Sequence, residues 1–192
     1  MPDASRSPLA PPTRTGSLLL VVGVQDRLFP AMDADHREEV VKNIKILGAA
    51  ARRLGIARLA AEQYPKGLGH TLPEVRESLG ADTEIIAKVA FSCWAAEPVR
   101  AKLTAAAPSH VIVAGIEAHV DVLMTAFDLL GAGHAVHVVA DAVTSRTQAN
   151  WRLAMDQLRQ AGANVTSTET VVFQLLGQAD TEEFRELSRL LR

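Results

Sequence analysis

The sequence predicts a single three-layer α/β/α domain, in which helices cover both faces of a mainly parallel sheet of about six strands. Short, nearly continuous runs of Val, Ile, Leu and Ala recur along the chain, as expected of strands that are buried on both faces. Segments of helical length separate these runs, and strands that alternate with helices form parallel sheets with right-handed crossovers. The 192 residues, of which 48% are hydrophobic, suffice for one core and leave little room for a second domain.

The predicted elements follow one another in a regular order. The apolar runs that predict strands cover residues 18–24, 57–61, 84–87, 110–114, 135–140 and 164–167. The segments that predict helices cover residues 37–54, 73–79, 95–106, 120–130, 150–160 and 181–191. Residues 1–17 hold Pro2, Pro8, Pro11 and Pro12 among Ser, Thr and Arg, so we expect a loosely ordered tail before a domain that spans 18–192.

Composition and charge exclude several classes of function. The chain has 20 basic and 22 acidic residues without long runs of one sign, so we expect neither a nucleic acid nor a membrane as partner. No apolar run near the start is long enough to span a bilayer, and no secretion signal is evident. The single cysteine, Cys93, excludes an internal disulfide framework and a multi-cysteine metal site. We therefore expect a cytoplasmic protein whose ligand or substrate is a small molecule.

Polar residues follow five of the predicted strands. Ligands of open parallel sheets bind beyond the carboxyl ends of the strands, which makes these positions the first candidates for a site. A solvated rim would produce a similar pattern, so position alone leaves both interpretations open. Lys88 lies between Ile85-Ile86-Ala87 and Val89-Ala90-Phe91, an apolar setting that favours a nearby carboxylate. The positions are Gln25, Asp26, Glu62, Gln63, Tyr64, Lys88, Glu117, His119, Asp121 and Asp141.

Four ordered motifs carry a resemblance to a known family. They are LLLVVGVQD at 18–26, EQYPKGLG at 62–69, KVAFS at 88–92 and GIEAHVD at 115–121. Together they resemble the isochorismatase-like cysteine hydrolases, specifically the branch that carries EQYPKGLG and GIEAHV. The resemblance extends from about residue 18 to the C-terminus and includes VFQLLG at 172–177. It implies a Rossmann-like α/β/α fold, which agrees with the predicted architecture.

The resemblance also implies a catalytic triad, from which this sequence departs at two positions. The family uses an aspartate after the first strand, a lysine after the third and a cysteine at the start of the helix after the fourth. Its thiolate attacks a carbonyl, the aspartate handles the proton, and backbone N–H groups hold the oxyanion. Lys88 matches the lysine, whereas Gly23 stands at the aspartate position and Asp121 at the cysteine position. Asp26 lies at an odd offset from Gly23, which on a strand directs it to the opposite face.

These departures leave several functions open. One is a family member without thiol hydrolysis, in which Asp121 pairs with Lys88 and a small-molecule pocket is kept. Another is an enzyme in which Lys88 and Asp121 provide acid and base for hydrolysis, dehydration or proton transfer on an activated substrate, which is worth roughly 10²–10⁴-fold. A third makes Cys93 the nucleophile, although a lone cysteine between Phe91 and Trp94 is more often a small buried hydrophobe.

The remaining expectations concern the surroundings of the site and assembly. The resemblance implies a cis peptide between Ile116 and Glu117, and a homo-oligomer. The amphipathic segment at 181–191 suits either a neighbouring subunit or its own sheet. No metal or cofactor is expected, because Asp33-x-Asp35-His36 is better explained as a capping stretch and His119 and His134 lack partners at ligand spacing. The residues expected to line the pocket are Gln25, Tyr64, Phe91, Trp94, Glu117 and His119.

Overall fold

A six-stranded, wholly parallel sheet forms the centre of the protein, as seen in a computed structural model that describes residues 10–192. The strands are β1 (Ser17–Val22), β2 (Ala57–Gln63), β3 (Glu84–Lys88), β4 (His110–Ile116), β5 (Ala135–Thr144) and β6 (Asn164–Thr166). Their order in the sheet is β3-β2-β1-β4-β5-β6, which confirms the predicted fold class. The order reverses between β1 and β4, and the crevice at such a switch point is where ligands of this architecture bind.

Eight α-helices accompany the sheet within residues 10–192. They are α1 (Arg37–Arg53), α2 (Pro65–Leu68), α3 (Pro73–Leu79), α4 (Glu97–Ala106), α5 (Leu123–Gly131), α6 (Gln148–Gln160), α7 (Thr168–Leu176) and α8 (Glu182–Leu190). A short 3-10 turn, Phe29–Ala31, and a single π-helical turn, Ala118–Val122, complete the described elements. Within residues 10–192, no helix is both long and apolar enough to cross a membrane.

The two faces of the sheet build two separate cores. Along β1, Leu18, Leu20 and Val22 pack on one face with residues of α4, α5 and α6. Leu19 and Val21 point to the other face and pack with residues of α1, α3 and α7. Because successive side chains of a strand point to opposite faces, a strand covered on both sides must be apolar at every position. This geometry explains the continuous apolar runs in the sequence.

Helix α8 packs on helices of its own chain rather than directly on the sheet. Its Leu187 is buried in a small cluster with Ile46 and Ala50 of α1 and with two residues of α7. The Arg53 guanidinium lies 2.5 Å from the Glu186 carboxylate and also contacts the carboxylates of Glu182 and Glu183. Leu187 of the predicted 181–191 helix is thus covered within the subunit, whereas Leu190 stays 42% exposed.

Several boundaries differ from those predicted. β1 ends at Val22 rather than at residue 24, because Gly23 leaves the extended conformation with φ +68°. β5 continues to Thr144, four residues beyond the predicted end, after a shift in its register with β4. Helix α7 was not predicted. Its N-cap Ser167 accepts a hydrogen bond from the Thr170 N–H, so the residue assigned to the end of the last strand instead begins a helix.

The predicted loose tail falls partly outside the described residues. Residues 1–9 lie outside them, and for these the expectation stays a prediction. Within the described part, the Arg14 guanidinium donates hydrogen bonds to the carbonyl oxygens of Leu175 and Leu176 at the end of α7. Ser17, also assigned to the tail, is the first residue of β1.

Candidate functional site

The carboxyl edge of the sheet brings Lys88 and Asp121 into direct contact. Lys88 is the last residue of β3, and Asp121 lies in the π-helical turn that follows β4. The Lys88 Nζ and Asp121 Oδ1 atoms are 2.5 Å apart, and the two side chains are 0% and 6% exposed. Lys88 and Asp121 therefore form a buried ion pair at the carboxyl edge of the sheet.

The Lys88 ammonium is surrounded by protein oxygen atoms. Besides Asp121, it donates to Gln63 Oε1 at 2.6 Å and to the carbonyl oxygens of Phe91 at 2.8 Å and Ala90 at 3.1 Å. A lysine ammonium has three N–H donors, and here four oxygen atoms share them. No donor remains free for a ligand while these contacts hold.

Burial governs the ionisation of both acidic groups near Lys88. Loss of water raises the pKa of the Asp121 carboxyl above its usual value, against the opposing attraction of the Lys88 ammonium. Burial also raises the pKa of the Cys93 thiol to about 11, although Lys88 again acts in the opposite direction. Cys93 is fully buried and its backbone N–H donates to Thr125 Oγ1. A thiol in this state is not an activated nucleophile, which argues against the relocated nucleophile.

The backbone at Gly23 is shaped in a way that suits glycine. Its φ of +68° is one that L side chains rarely adopt, and an added Cβ would lie 2.6 Å from the carbonyl oxygen of Ile116. Residues 23–26 lie outside β1, so strand alternation does not set the direction of Asp26. Asp26 is exposed, and its backbone N–H donates to the carbonyl of His70.

A second group of charged residues lies next to Asp121. The peptide bond from Ile116 to Glu117 is cis. The Glu117 carboxylate accepts hydrogen bonds from the Arg146 guanidinium at 2.5 and 3.0 Å and from the Arg146 N–H at 3.3 Å. Burial acts to raise the pKa of Glu117, but the hydrogen bonds from Arg146 outweigh it and hold the pKa below its usual value. His119 Nδ1 lies 3.0 Å from Ser145 Oγ and 3.9 Å from the Glu117 carboxylate.

Gln63, Ser145 and Arg146 were not among the residues assigned to the site. Gln63 was noted only as one polar residue after the second strand, yet its amide oxygen contacts the Lys88 ammonium. Ser145 and Arg146 follow β5 directly, and they were missed because the strand was predicted to end at residue 140. The rule that placed the other candidates would have found both, had the strand end been known.

The other expected pocket residues lie in different environments. Gln25 is fully buried, and its amide forms hydrogen bonds with the backbone of Gln63 and Gly69, so it joins the end of β2 to the end of α2. Tyr64 and Phe91 are 52% and 53% exposed. The backbone of each residue contacts Lys88: the Tyr64 N–H donates to the Lys88 carbonyl, and the Phe91 carbonyl accepts from the Lys88 ammonium. The Trp94 ring instead packs edge-on against His134, which precedes β5 at the opposite edge of the sheet.

A concavity of about 410 Å³ adjoins the site along the segment that follows β3. Because the Lys88 side chain has no exposed surface, its ammonium is not offered to this concavity. Within residues 10–192, no three His, Cys, Asp or Glu side chains are grouped so that they could hold a metal ion. His36 contacts Asp33 at 3.5 Å ahead of α1. The residues that line the concavity are Ala87, Lys88, Val89, Ala90, Ala95, Ala96, Glu97 and Pro98.

The fold and this site define an α/β/α protein with a lysine-centred site at the carboxyl edge of a parallel sheet. Residues 17–170 match the Isochorismatase domain family, so the chain belongs to the isochorismatase family, as its motifs indicated. It is 40% identical over 178 residues to isochorismatase domain-containing protein 2 of Danio rerio, covering 92% of this chain and 87% of the relative.

Solved structures agree with this assignment. The MAR1 ribonuclease from Caenorhabditis elegans is 39% identical, with a TM-score of 0.88 over 95% of this chain and 92% of that chain. The YcaC gene product of Escherichia coli, described as an octameric hydrolase of unknown specificity, has a TM-score of 0.88 at 22% identity. That alignment covers 94% of this chain and 90% of the YcaC chain, and it shows a shared fold.

Proposed function

We propose that this protein is an isochorismatase-family member without thiol hydrolysis, which binds a small molecule beside a buried Lys88–Asp121 ion pair. One observation carries the proposal: four protein oxygen atoms, including Asp121 Oδ1 at 2.5 Å, occupy the donors of a lysine that has no exposed side-chain surface. A carboxylate held by an ammonium is a poor nucleophile, and Gly23 supplies no acid for proton transfer.

Two half-exposed aromatic residues near Lys88 support this proposal. Tyr64 and Phe91 are anchored to Lys88 by hydrogen bonds of their backbone atoms, and each residue is about half exposed, at 52% and 53%. Ligand sites combine such apolar surface with a few polar groups. We therefore favour a ligand with a flat or apolar part that packs on these rings.

Altered acid/base chemistry is the second candidate, and one observation favours it. Burial raises the pKa of Asp121, which is the direction that a carboxylic acid acting near neutral pH requires. This function requires that substrate binding break the Lys88–Asp121 contact. Because Lys88 and Asp121 are in direct contact, we rank the acid/base function below the binding function.

A hydrolysis screen distinguishes the two functions. Amides, activated esters, a vinyl-ether acid and single-stranded RNA are offered to the natural protein, to Asp121→Cys, and to the double variant Gly23→Asp/Asp121→Cys. RNA is included because of the C. elegans relative's name. We expect turnover from a cysteine variant and none from the natural protein. The single variant is needed because an aspartate at Gly23 must displace the Ile116 carbonyl.

Two results would overturn the proposal. Turnover by the natural protein that disappears in both Lys88→Ala and Asp121→Asn would establish the acid/base function instead. For binding, a thermal-shift screen of small aromatic and carboxylic compounds should yield a ligand whose effect is lost in Phe91→Ala and kept in Phe173→Ala, an exposed phenylalanine on α7. Equal shifts in both variants would place the ligand elsewhere.

A further inference from the structure

Another concavity lies at the carboxyl end of β5, and no residue that lines it also lines the concavity beside Lys88. Its volume is about 380 Å³. It opens between the start of α1, which packs on one face of the sheet, and the start of α6, which packs on the other. Ligands of open parallel sheets bind at this end of the strands. The charged, amide and aromatic residues of its lining are His36, Glu39, Asp141, Gln148, Trp151 and Arg152.

Asp141 lies in an irregular segment of β5. The register between β4 and β5 shifts there, so that β5 has more residues than β4 over the same length. Such bulges redirect side chains and are common next to functional sites. The Asp141 Oδ1 atom accepts hydrogen bonds from the Thr168 N–H and hydroxyl at 2.8 and 2.9 Å. Its Oδ2 atom has no hydrogen-bond donor among the described residues, so this oxygen is left for a ligand.

Two further charged side chains of the lining have no ion-pair partner in the part of the chain that the structure describes. Glu39 lies in the first turn of α1 and Arg152 lies on α6, and both residues are exposed. His36, in contrast, is held at Nδ1 by the Asp33 carboxylate at 3.5 Å and by the Gln148 amide at 2.9 Å. Charges of both signs that are unpaired around one concavity favour a ligand that itself carries both signs.

We propose that this concavity binds a small zwitterion of the amino-acid type, at a site separate from the one proposed beside Lys88. The ammonium group of the ligand contacts the carboxylates of Glu39 and Asp141, and its carboxylate contacts the Arg152 guanidinium. The rest of the ligand packs against Trp151, whose Nε1–H donates to the Ala140 carbonyl at 3.2 Å and so fixes the ring. A ligand with only one of the two charges satisfies one side of the concavity, so full affinity requires both.

Calorimetric titration with the proteinogenic L-amino acids, their N-acetyl derivatives and their amides tests the proposal. Acetylation removes the ammonium charge of an amino acid, and amidation removes its carboxylate charge. We expect at least one amino acid to bind to the natural protein. Its N-acetyl derivative and its amide should each bind at least about 10-fold more weakly, because each has lost one charged contact.

Neutral variants of the lining assign each charge of the ligand to its partner. Glu39→Gln and Arg152→Gln should each weaken binding of the amino acid several-fold. Glu39→Gln should not weaken the N-acetyl derivative further, because that ligand has no ammonium group to lose. Arg152→Gln should likewise leave the affinity for the amide unchanged. This crossed pattern distinguishes direct contacts from a general change in the charge of the protein.

Glu38→Gln and Arg159→Gln serve as matched controls and should leave the affinity unchanged. Glu38 precedes Glu39 on α1 but lines a different concavity, and Arg159 lies on α6 outside the lining. All four residues are exposed, so circular dichroism should show that every variant is folded. The proposal is overturned if no amino acid binds, if the derivatives bind as well as the amino acid, or if Glu39→Gln and Arg152→Gln leave the affinity unchanged.

Discussion

Asp121 and Glu117 are two buried carboxyl groups four residues apart in the same segment, yet their pKa values shift in opposite directions. Both residues are about 5% exposed, and each has one basic partner at 2.5 Å. The pKa of Asp121 is raised by burial despite Lys88, whereas the pKa of Glu117 is lowered because the hydrogen bonds from Arg146 outweigh burial. Burial alone does not decide the ionisation of a carboxyl group.

The two carboxyl groups differ in the number of hydrogen bonds that each accepts from its basic partner. They also differ in the exposure of that partner to water, which is high for Arg146 and absent for the Lys88 side chain. Arg146 is 57% exposed, donates two parallel guanidinium bonds to Glu117 and adds its backbone N–H. The Lys88 side chain is fully enclosed and its three N–H donors are shared by four acceptors, so Asp121 accepts a hydrogen bond from Lys88 at Oδ1 alone. Bidentate arginine contacts stabilise a carboxylate more effectively than a shared ammonium does.

The largest effect is expected from breaking the enclosed pair. Lys88→Ala leaves the Asp121 carboxylate buried without its partner, which should lower the free energy of unfolding by about 3–5 kcal/mol. Replacing both residues, as Lys88→Met/Asp121→Leu, should cost far less, because no charge then remains buried. Urea unfolding of the three proteins measures the difference. A loss below about 1 kcal/mol for Lys88→Ala would mean that water reaches the pair.

A smaller loss of stability is expected from breaking the Arg146–Glu117 ion pair, whose arginine is exposed. Arg146→Ala removes the two guanidinium hydrogen bonds to Glu117 and keeps the one from the backbone N–H. It should lower the free energy of unfolding by about 1–2 kcal/mol. Arg146→Lys should recover little of this, because an ammonium cannot form the bidentate contact. Arg152→Ala, another exposed arginine, serves as the matched control and should change stability by less than about 0.5 kcal/mol. Equal losses in both alanine variants would contradict a special role for Arg146.

The smallest effect is a difference in pH dependence, with opposite signs at the two sites. Glu117 has a folded-state pKa below 4.5, so its stabilisation is present above pH 4.5 and is lost as the pH falls through the folded-state value. Asp121 has a folded-state pKa above 3.8, so the protonated carboxyl stabilises the folded protein below pH 3.8. This stabilisation is lost as the pH rises through the folded-state pKa.

Neutral variants measure the two slopes directly. As the pH rises, the free energy of unfolding of the natural protein should increase relative to that of Glu117→Gln. Over the same pH range, it should decrease relative to that of Asp121→Asn. Each slope is at most about 1.4 kcal/mol per pH unit for a single proton. Urea unfolding from acidic to neutral pH gives both differences. Parallel curves for the two variants would show that the carboxyl groups titrate alike.

The sequence predicted the layers and the strand count correctly, because both depend on local pattern. Lys88 and Asp121 were assigned from motifs and from their place after apolar runs, which needs no knowledge of distance. Arg146 was missed for the converse reason, since the end of β5 depends on a register shift against β4 that no local pattern encodes. The sequence likewise did not show that Gln25 joins the end of β2 to the end of α2, because its partners are backbone atoms of residues 63 and 69.

The sequence by itself determined the α/β/α architecture and the family, and it led to the prediction that Gly23 and Asp121 stand where the family has an acid and a thiol. Alternating apolar and helical segments specify which surfaces must be buried, and residue types specify which chemistry is present. Only the tertiary structure decided that Lys88 is enclosed by four oxygen atoms and that Cys93 is buried. It also decided that the pKa values of two neighbouring carboxyl groups shift in opposite directions. Ionisation and access to water depend on atoms from distant parts of the chain, and these meet only in the folded protein.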